Sequence, residues 1–489
     1  MSTNVIAGNV STVERPARQL IIILVSQLLS WCCAMVVTVT LPAYRTVDEF
    51  ALFSLAFGFM GLVSGLCDSG LSSFISRTIT SDSLRARNIL VAAIAVRISI
   101  TVAGCMFLAI LLTLVHYPKA TVQFILVAVS LSSVGQISAS IKDVIRGLGR
   151  VSTTSGILLL ERAMGAMIVL ALAMTHQSLY TFLWVPLIFE AIGVYISLKA
   201  LRSRTSLVGN NTITVRHEIK FLLAQLLILS SGVLFLQIKD PLNLMLIGYW
   251  GTADDIGSYS VVKRILGSAM FLPVAIAQLG LPMMTRAFTL KRESFHYQFY
   301  PLLQSTLMAC FPVMVIFAFH GYQILGLIHL YPKFTYSPVT LALATPLVFM
   351  LYLAMLLTNA VIACGRQAKL VKGIIMVGLS MPVVSYAVMY ALTRIGIRSP
   401  LGAVASDMAL ELCLIIVYVK VLDVPINYRK LIRPCAIALL LSIPLALAGI
   451  FLTGFPWIIV TVCSVVLYVG VLFKLDIIGK KMLECEVSA

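Results

Sequence analysis

Five ionisable side chains lie deep inside apolar segments of this sequence, where a charge costs free energy unless it is paired or hydrated. They are Asp68, Arg97, Glu161, Arg162 and Glu190. Each lies roughly 14 to 17 Å from a basic residue that borders its segment on the predicted inner side, at about 1.5 Å per helical residue. Guanidinium suits phosphate oxygens because its planar donors match them and it stays charged. Arg97 and Arg162 are therefore candidate contacts to an anionic substrate in a hydrated cavity, and Arg162 is the stronger candidate because it lies deepest.

The same charges could instead neutralise one another. Asp68 could pair with Arg97, and either Glu161 or Glu190 could pair with Arg162, which would fix the register of the helices. Pairs that open when substrate enters would satisfy both interpretations. The three acids would then also be candidate ion-coupling groups. The residue types leave these alternatives open.

A second acidic pair lies near the end of the chain. Asp407 and Glu411 are four residues apart, so on a helix they share one face. Two like charges within reach of each other favour the binding of a proton or a cation. The alternative is that one of them pairs with a neighbouring base, as buried acids usually do.

Basic residues near the outer side of the second half form another candidate group. Lys239 precedes Asp240 and Pro241, where it could line an outer vestibule, and Lys263 and Arg264 follow a polar nonapeptide. Positive charge at the outer opening of a cavity could hold the anionic headgroup of a substrate while the substrate is released. It could equally anchor the chain at the membrane interface by snorkelling.

The composition of the chain predicts which structural elements carry these charged residues. Hydrophobic residues form 60% of the 489 positions and charged residues only 11%, with a net charge of +17. Soluble domains are far less apolar. About fourteen apolar runs are each long enough to cross a bilayer. The chain is therefore predicted to be an all-α integral membrane protein, with spans near 20–43, 51–74, 89–115, 121–141, 152–174, 179–198, 221–247, 256–284, 297–319, 338–363, 373–393, 400–419, 435–453 and 456–473.

Most of the 36 Lys and Arg residues lie in alternate connections. The positive-inside rule then predicts that both termini are cytoplasmic. The predicted organisation is a cytoplasmic N-terminus (1–19), an N-lobe of six spans (20–199), a cytoplasmic linker (200–220), a C-lobe of six spans (221–420), a cytoplasmic loop (421–434), a C-terminal helix pair (435–473) and a cytoplasmic tail (474–489).

A polar nonapeptide occurs twice, as T-V-D-E-F-A-L-F-S at 46–54 and as T-A-D-D-I-G-S-Y-S at 252–260. Six predicted spans separate the copies, and an even number gives both halves the same orientation in the membrane. This predicts two parallel lobes. An acidic residue near the start of a helix suits the helix dipole, so each copy is predicted to cap a helix.

Several segments resemble those of polysaccharide-biosynthesis flippases, the repeat-unit translocases for O-antigen and exopolysaccharide. This family lies within the multidrug/oligosaccharidyl-lipid/polysaccharide exporter superfamily. The similar segments are L-P-A-Y-R-T-V-D-E-F-A-L-F-S (41–54), D-S-G-L-S-S-F-I-S-R (68–77), I-R-G-L-G-R (145–150), the run from Asp240 to Ser260, and A-C-G-R (363–366). Together they extend over most of the chain.

The resemblance implies a V-shaped exporter fold that alternates between inward and outward openings. It implies transport of an oligosaccharide repeat unit linked to undecaprenyl diphosphate, across the bacterial inner membrane, for lipopolysaccharide or exopolysaccharide synthesis. Polysaccharide polymerase and chain-length machinery are the implied partners. No cofactor or metal is expected.

Two other functions are alternatives to a flippase. A cation-coupled multidrug exporter of the same superfamily would share the architecture, but a cavity for organic cations would be acidic and aromatic. A membrane-embedded polymerase or glycosyltransferase would need a large catalytic loop. The predicted loops reach only about twenty residues, which is against an enzyme.

Overall fold

A computed structural model of the chain describes residues 16–68, 71–175, 178–202, 215–290, 295–423, 429–452 and 454–474. Over these ranges the chain is almost entirely helical and contains no β-strand, which confirms the predicted all-α class. In chain order the helices are α1 (Pro16–Tyr44), α2 (Val47–Asp68), α3 (Leu71–Ser81), α4 (Ala86–Leu114), α5 (Lys119–Gly147), α6 (Val151–Met174), α7 (Leu179–Arg202), α8 (Val215–Trp250), α9 (Ala253–Ala269), α10 (Phe271–Leu290), α11 (Phe295–Phe319), α12 (Gly321–Leu327), α13 (Ser337–Leu343), α14 (Thr345–Ala363), α15 (Gln367–Arg394), α16 (Ser399–Leu422), α17 (Arg429–Leu441), α18 (Ile443–Phe451) and α19 (Gly454–Lys474).

Every predicted span overlaps at least one of these helices. In the described part of the chain, nine helices are long and apolar enough to cross a membrane by themselves. Shorter apolar helices lie at other predicted spans, so the predicted number of fourteen is approximate. The chain is a multi-pass membrane protein.

The predicted span 256–284 is divided into α9 and α10, which meet at Met270. The cause is Pro273, whose ring would clash with the carbonyl four residues earlier, that of Ala269. This carbonyl accepts a hydrogen bond from the Tyr352 hydroxyl at 2.7 Å, and the Tyr352 side chain is buried. The break is therefore compensated by a side chain from α14, as an interrupted helix in a membrane requires.

Both copies of the nonapeptide form capping boxes, so the capping prediction is confirmed. At the start of α2, the Glu49 amide donates to Thr46 Oγ1 at 3.3 Å and the Thr46 amide donates to Glu49 Oε2 at 3.2 Å. At the start of α9, the Asp255 amide donates to Thr252 Oγ1 at 3.4 Å and the Thr252 amide donates to Asp255 Oδ2 at 2.9 Å. The repeat thus satisfies the amides that a helix start leaves without partners.

Packing divides the chain into two compact units. The first contains the described parts of 1–40 and 63–229, and the second contains 41–62 and those of 230–489. Residues 41–62 fall in the predicted N-lobe but belong to the second unit. The predicted termini, linker and loop include segments that lie outside the described residues, namely 1–15, 203–214, 424–428 and 475–489.

One helix positions most polar groups in each unit. In the first unit α5 packs against α3, α4, α6 and α7, so its side chains reach four neighbours. In the second unit α16 packs against α9, α14 and α15. Apolar side chains from these helices form the two main cores, which hold the polar faces of α5 and α16 in fixed register.

Candidate functional site

Arg97 lies at the centre of a polar network in the first unit. Its side chain extends from α4 and is fully buried. Nη2 donates to Asp143 Oδ2 at 2.8 Å and to Ser72 Oγ at 2.9 Å, while Nη1 donates to Ser140 Oγ at 2.9 Å. The guanidinium is thereby bonded to α3 and α5.

The expected pair between Arg97 and Asp68 is present, with Nη2 and Oδ1 3.4 Å apart. Asp143 is the closer acid, and sequence reasoning missed it because it lies beside basic residues assigned to the inner surface. Arg97 is enclosed by these partners rather than presented to substrate. The position of Arg97 therefore corresponds to the pairing alternative, in which the guanidinium fixes the helix register.

A cavity of about 490 Å³ lies beside this network in the first unit. Asp68, Ser72 and Asp143 line it, so one wall is shared with the partners of Arg97. Lys142 and Arg146, both from α5, add two positive charges to the lining. The Asp68 carboxylate is 63% exposed and is the more accessible of the two acids.

Neither Lys142 nor Arg146 was predicted as a site residue, because basic residues near the end of a span usually mark the inner surface. The structure places both in the cavity lining because α5 continues to Gly147, beyond the predicted end of its span at 141. A signal was available in the sequence. Gln136, Asp143 and Arg146 are seven and three residues apart, which places these polar side chains on one helix face.

Glu161 on α6 pairs with Lys142 rather than with Arg162. Lys142 Nζ and Glu161 Oε2 are 2.5 Å apart, and Ser138 Oγ donates to Glu161 Oε1 at 3.3 Å. The carboxylate lies against Gly193 of α7. A Cβ at that position would come within 1.5 Å of Glu161 Oε1, so the glycine provides the necessary space.

Glu190 on α7 lies against Gly135 of α5, where an added Cβ would be 2.6 Å and 2.7 Å from its two carboxylate oxygens. Arg162 is exposed, and no ion pair joins it to either glutamate among the described residues. The expected pairing of Arg162 is therefore not observed. Arg162 lies one helical turn beyond Leu158, which lines the cavity, so the two share a face of α6.

The second unit contains a separate buried network around Asp407 of α16. Lys263 Nζ lies 3.2 Å from Asp407 Oδ2 and 2.7 Å from Asp240 Oδ1. The Tyr259 hydroxyl donates to Asp407 Oδ2 at 3.0 Å, and Asn243 Nδ2 donates to Asp407 Oδ1 at 2.8 Å. Asp407 is fully buried, but its charge is compensated by one ammonium group and two neutral donors.

Glu411, one turn along α16, has its own base. Lys239 Nζ lies 3.3 Å from Glu411 Oε2. The two acids of α16 thus correspond to the pairing alternative. Arg264 has its guanidinium 5.4 Å from the ring centre of Phe50 and 5.8 Å from that of Phe53, within cation–π range. Lys239, Lys263 and Arg264 therefore contact groups of their own unit and do not form a free basic mouth.

No group of three His, Cys, Asp or Glu side chains among the described residues is arranged to hold a metal ion. Both polar networks instead pair ammonium or guanidinium groups with carboxylates inside apolar helix bundles. Ionisable groups in such positions are typical of transport pathways. The fold and the two networks define a polytopic membrane protein with compensated charges inside its helix bundles.

Comparison with solved structures shows which fold this is. A lipid II flippase, MurJ in its inward closed conformation, matches with a TM-score of 0.72 and 13% identity, over 94% of this chain and 100% of that chain. An inward-facing multidrug resistance MATE family transporter of the MOP superfamily matches with a TM-score of 0.64 and 13% identity, over 80% of this chain and 94% of that one. A MOP superfamily transporter from Pyrococcus furiosus, with a binding pocket described as of reverse polarity, matches with a TM-score of 0.57 and 14% identity, over 83% and 95%.

Residues 46–329 match the family model described as "Polysaccharide biosynthesis protein". The match extends over more than half of the chain, which therefore belongs to this family. The family and the fold confirm the expectation of a transporter rather than an enzyme. No curated protein matches the chain.

Proposed function

We propose that this protein flips an oligosaccharide repeat unit, linked to undecaprenyl diphosphate, from the cytoplasmic to the periplasmic leaflet of the bacterial inner membrane. Both termini would be cytoplasmic. The product would feed surface or exopolysaccharide synthesis through a polymerase and its chain-length machinery. Membership in the polysaccharide biosynthesis family and the flippase and exporter fold support this class of substrate.

The observation that carries the proposal is the cavity in the first unit, where Lys142 and Arg146 lie on one helix. A diphosphate headgroup needs cationic donors and a cavity with polar lining, and this cavity offers both. Arg162, exposed on the face of α6 that continues from the cavity, would add a third contact. We therefore assign Lys142, Arg146 and Arg162 to the headgroup, and Arg97 to holding the cavity wall.

Ion coupling is proposed for the paired acids. Asp407 and Glu411 each have a lysine partner, so a proton or cation could replace that partner when the second unit changes conformation. Asp68 in the first cavity is a further candidate because most of its carboxylate is accessible.

One observation favours the alternative, a cation-coupled multidrug exporter. The same exposed carboxylate of Asp68 could bind an organic cation. Against this, the cavity lining itself carries as many bases as acids, and Asp143 is already compensated by Arg97. An acidic, uncompensated cavity would suit a drug exporter better.

Complementation of a strain that lacks the native gene would test the proposal. Lys142→Met and Arg146→Met should each lower surface glycan at least about tenfold at wild-type protein levels, and Arg162→Ala should do the same, because each removes a charge-assisted phosphate contact. Lys119→Met is the matched control, since Lys119 is an exposed base on the same helix and lies outside the cavity.

The same variants should lose flipping of undecaprenyl-diphosphate sugar in proteoliposomes. Normal glycan output from all three variants would reject the headgroup assignment. Export of organic cations that depends on Asp68, without any flipping, would establish the drug-exporter alternative instead.

A further inference from the structure

Three ionisable groups lie near one another in the first unit, and one of them faces its cavity. Lys142 lines the cavity and is bonded to Glu161, which extends from α6. Glu190 of α7 occupies a niche against Gly135 and has no ion pair among the residues described. Two acids thus share the neighbourhood of one cavity-facing base.

The charged groups around Glu190 determine whether its carboxylate can bind a proton. The titratable groups that act on it are Glu161 from α6 and Lys142 from α5. Asp143 and Arg146, also on α5, are paired with each other at 3.5 Å, and Asp143 is bonded to Arg97 of α4. The field at Glu190 therefore depends mainly on whether Lys142 stays with Glu161.

We propose that an anionic headgroup bound in the cavity takes Lys142 from Glu161, and that Glu161 and Glu190 then bind one proton between them. The inference rests on the proposed function, since the anion is the diphosphate of a polyprenyl-linked substrate. The headgroup and Glu161 compete for the same ammonium group. Once it is lost, Glu161 and Glu190 are two uncompensated carboxylates in the same part of the packing between α5, α6 and α7, where both cannot remain charged without cost. The proton comes from the aqueous phase that reaches the cavity.

The glycines make this arrangement testable. Gly135 and Gly193 each leave room for a carboxylate, and both close contacts would involve the flexible ends of glutamate side chains. Gly135→Ala should therefore displace the Glu190 carboxylate from its niche without disturbing the backbone. Gly165→Ala is the matched control, because a Cβ there would meet only Phe189, at an ordinary distance of 3.7 Å.

Binding of farnesyl diphosphate to the purified full-length protein would measure the linkage. Titration calorimetry in buffers of different ionisation enthalpy gives the protons taken up per bound ligand. Wild type should take up about one proton more than Glu190→Gln, because the remaining carboxylate can stay charged alone. Gly135→Ala should take up nearly as few protons as Glu190→Gln, whereas Gly165→Ala should take up as many as wild type.

Glu161→Gln gives a result that misfolding cannot imitate. It removes the competitor for Lys142, so the probe should bind several-fold more tightly and with less proton uptake than in wild type. Equal proton uptake by wild type, Glu190→Gln and Glu161→Gln would overturn the linkage while leaving the substrate class intact. Failure of wild type to bind farnesyl diphosphate at all would overturn both this inference and the proposed headgroup site.

Discussion

Removal of the Arg97 side chain should destabilise the protein rather than merely weaken substrate binding. Arg97→Met keeps much of the apolar volume but leaves Asp143, which is only 4% exposed, without its closest cation. Breaking a buried ion pair costs about 3–5 kcal/mol. Arg146 remains 3.5 Å from Asp143 and Asp68 is already mostly exposed, so the effect should lie near the lower end of that range, at about 3 kcal/mol.

The assay is chemical denaturation of the purified protein in detergent, with the free energy of unfolding as the measured quantity. The double variant Arg97→Met/Asp143→Leu should recover about 2 kcal/mol, because it removes the uncompensated charge as well. Arg162→Met is the control, an exposed guanidinium in the same unit that should change stability by less than about 0.5 kcal/mol. If Arg97→Met unfolds like wild type but no longer transports, Arg97 is a substrate contact and the structural assignment fails.

Two further predictions concern protons. Asp407→Asn should change the pH dependence of transport in proteoliposomes, since Lys263 would lose an acid it contacts at 3.2 Å, and an unaltered profile would exclude Asp407 from coupling. His320 connects the last helices to α11, because its Nδ1 accepts from Trp457 Nε1 at 2.7 Å and its Nε2 donates to the Leu445 carbonyl at 2.8 Å. Burial lowers the pKa of His320, so the unfolded chain takes up a proton first as the pH falls. Stability present above the unfolded pKa, about 6.5, should therefore decline below it. His320→Phe should flatten this decline in a thermal-unfolding series; an equal slope in both proteins would contradict the assignment.

The helices and their starts could be predicted from the sequence, because local chemistry specifies them. Apolar runs of membrane length predict spans, and a threonine followed three residues later by an acid predicts a capping box at Thr46 and at Thr252. The break at Met270 was not predicted, because the apolar run over 256–284 indicated one continuous span. Whether a proline kinks a span or ends a helix depends on a partner for the freed carbonyl, and here that partner is Tyr352.

The candidate site was predicted only in part. The similar predicted depths of Asp68 and Arg97 indicated their pairing, which the structure contains. Lys142 and Arg146 were missed because positive charge near the end of a span is usually a marker of the inner surface. Only the continuation of α5 into the packed unit turns these side chains toward the cavity.

The sequence by itself determined the membrane class and most of the helices. It also predicted the depth of the five charged residues inside the first spans, because spacing along a helix converts directly into distance along its axis. Only the tertiary structure decided which charges meet. Glu161 and Arg162 are adjacent in the chain but lie about 100° apart around α6, so one reaches Lys142 and the other is exposed. Rotation about the helix axis and the choice of neighbour are set by packing between helices, which a list of residues does not contain.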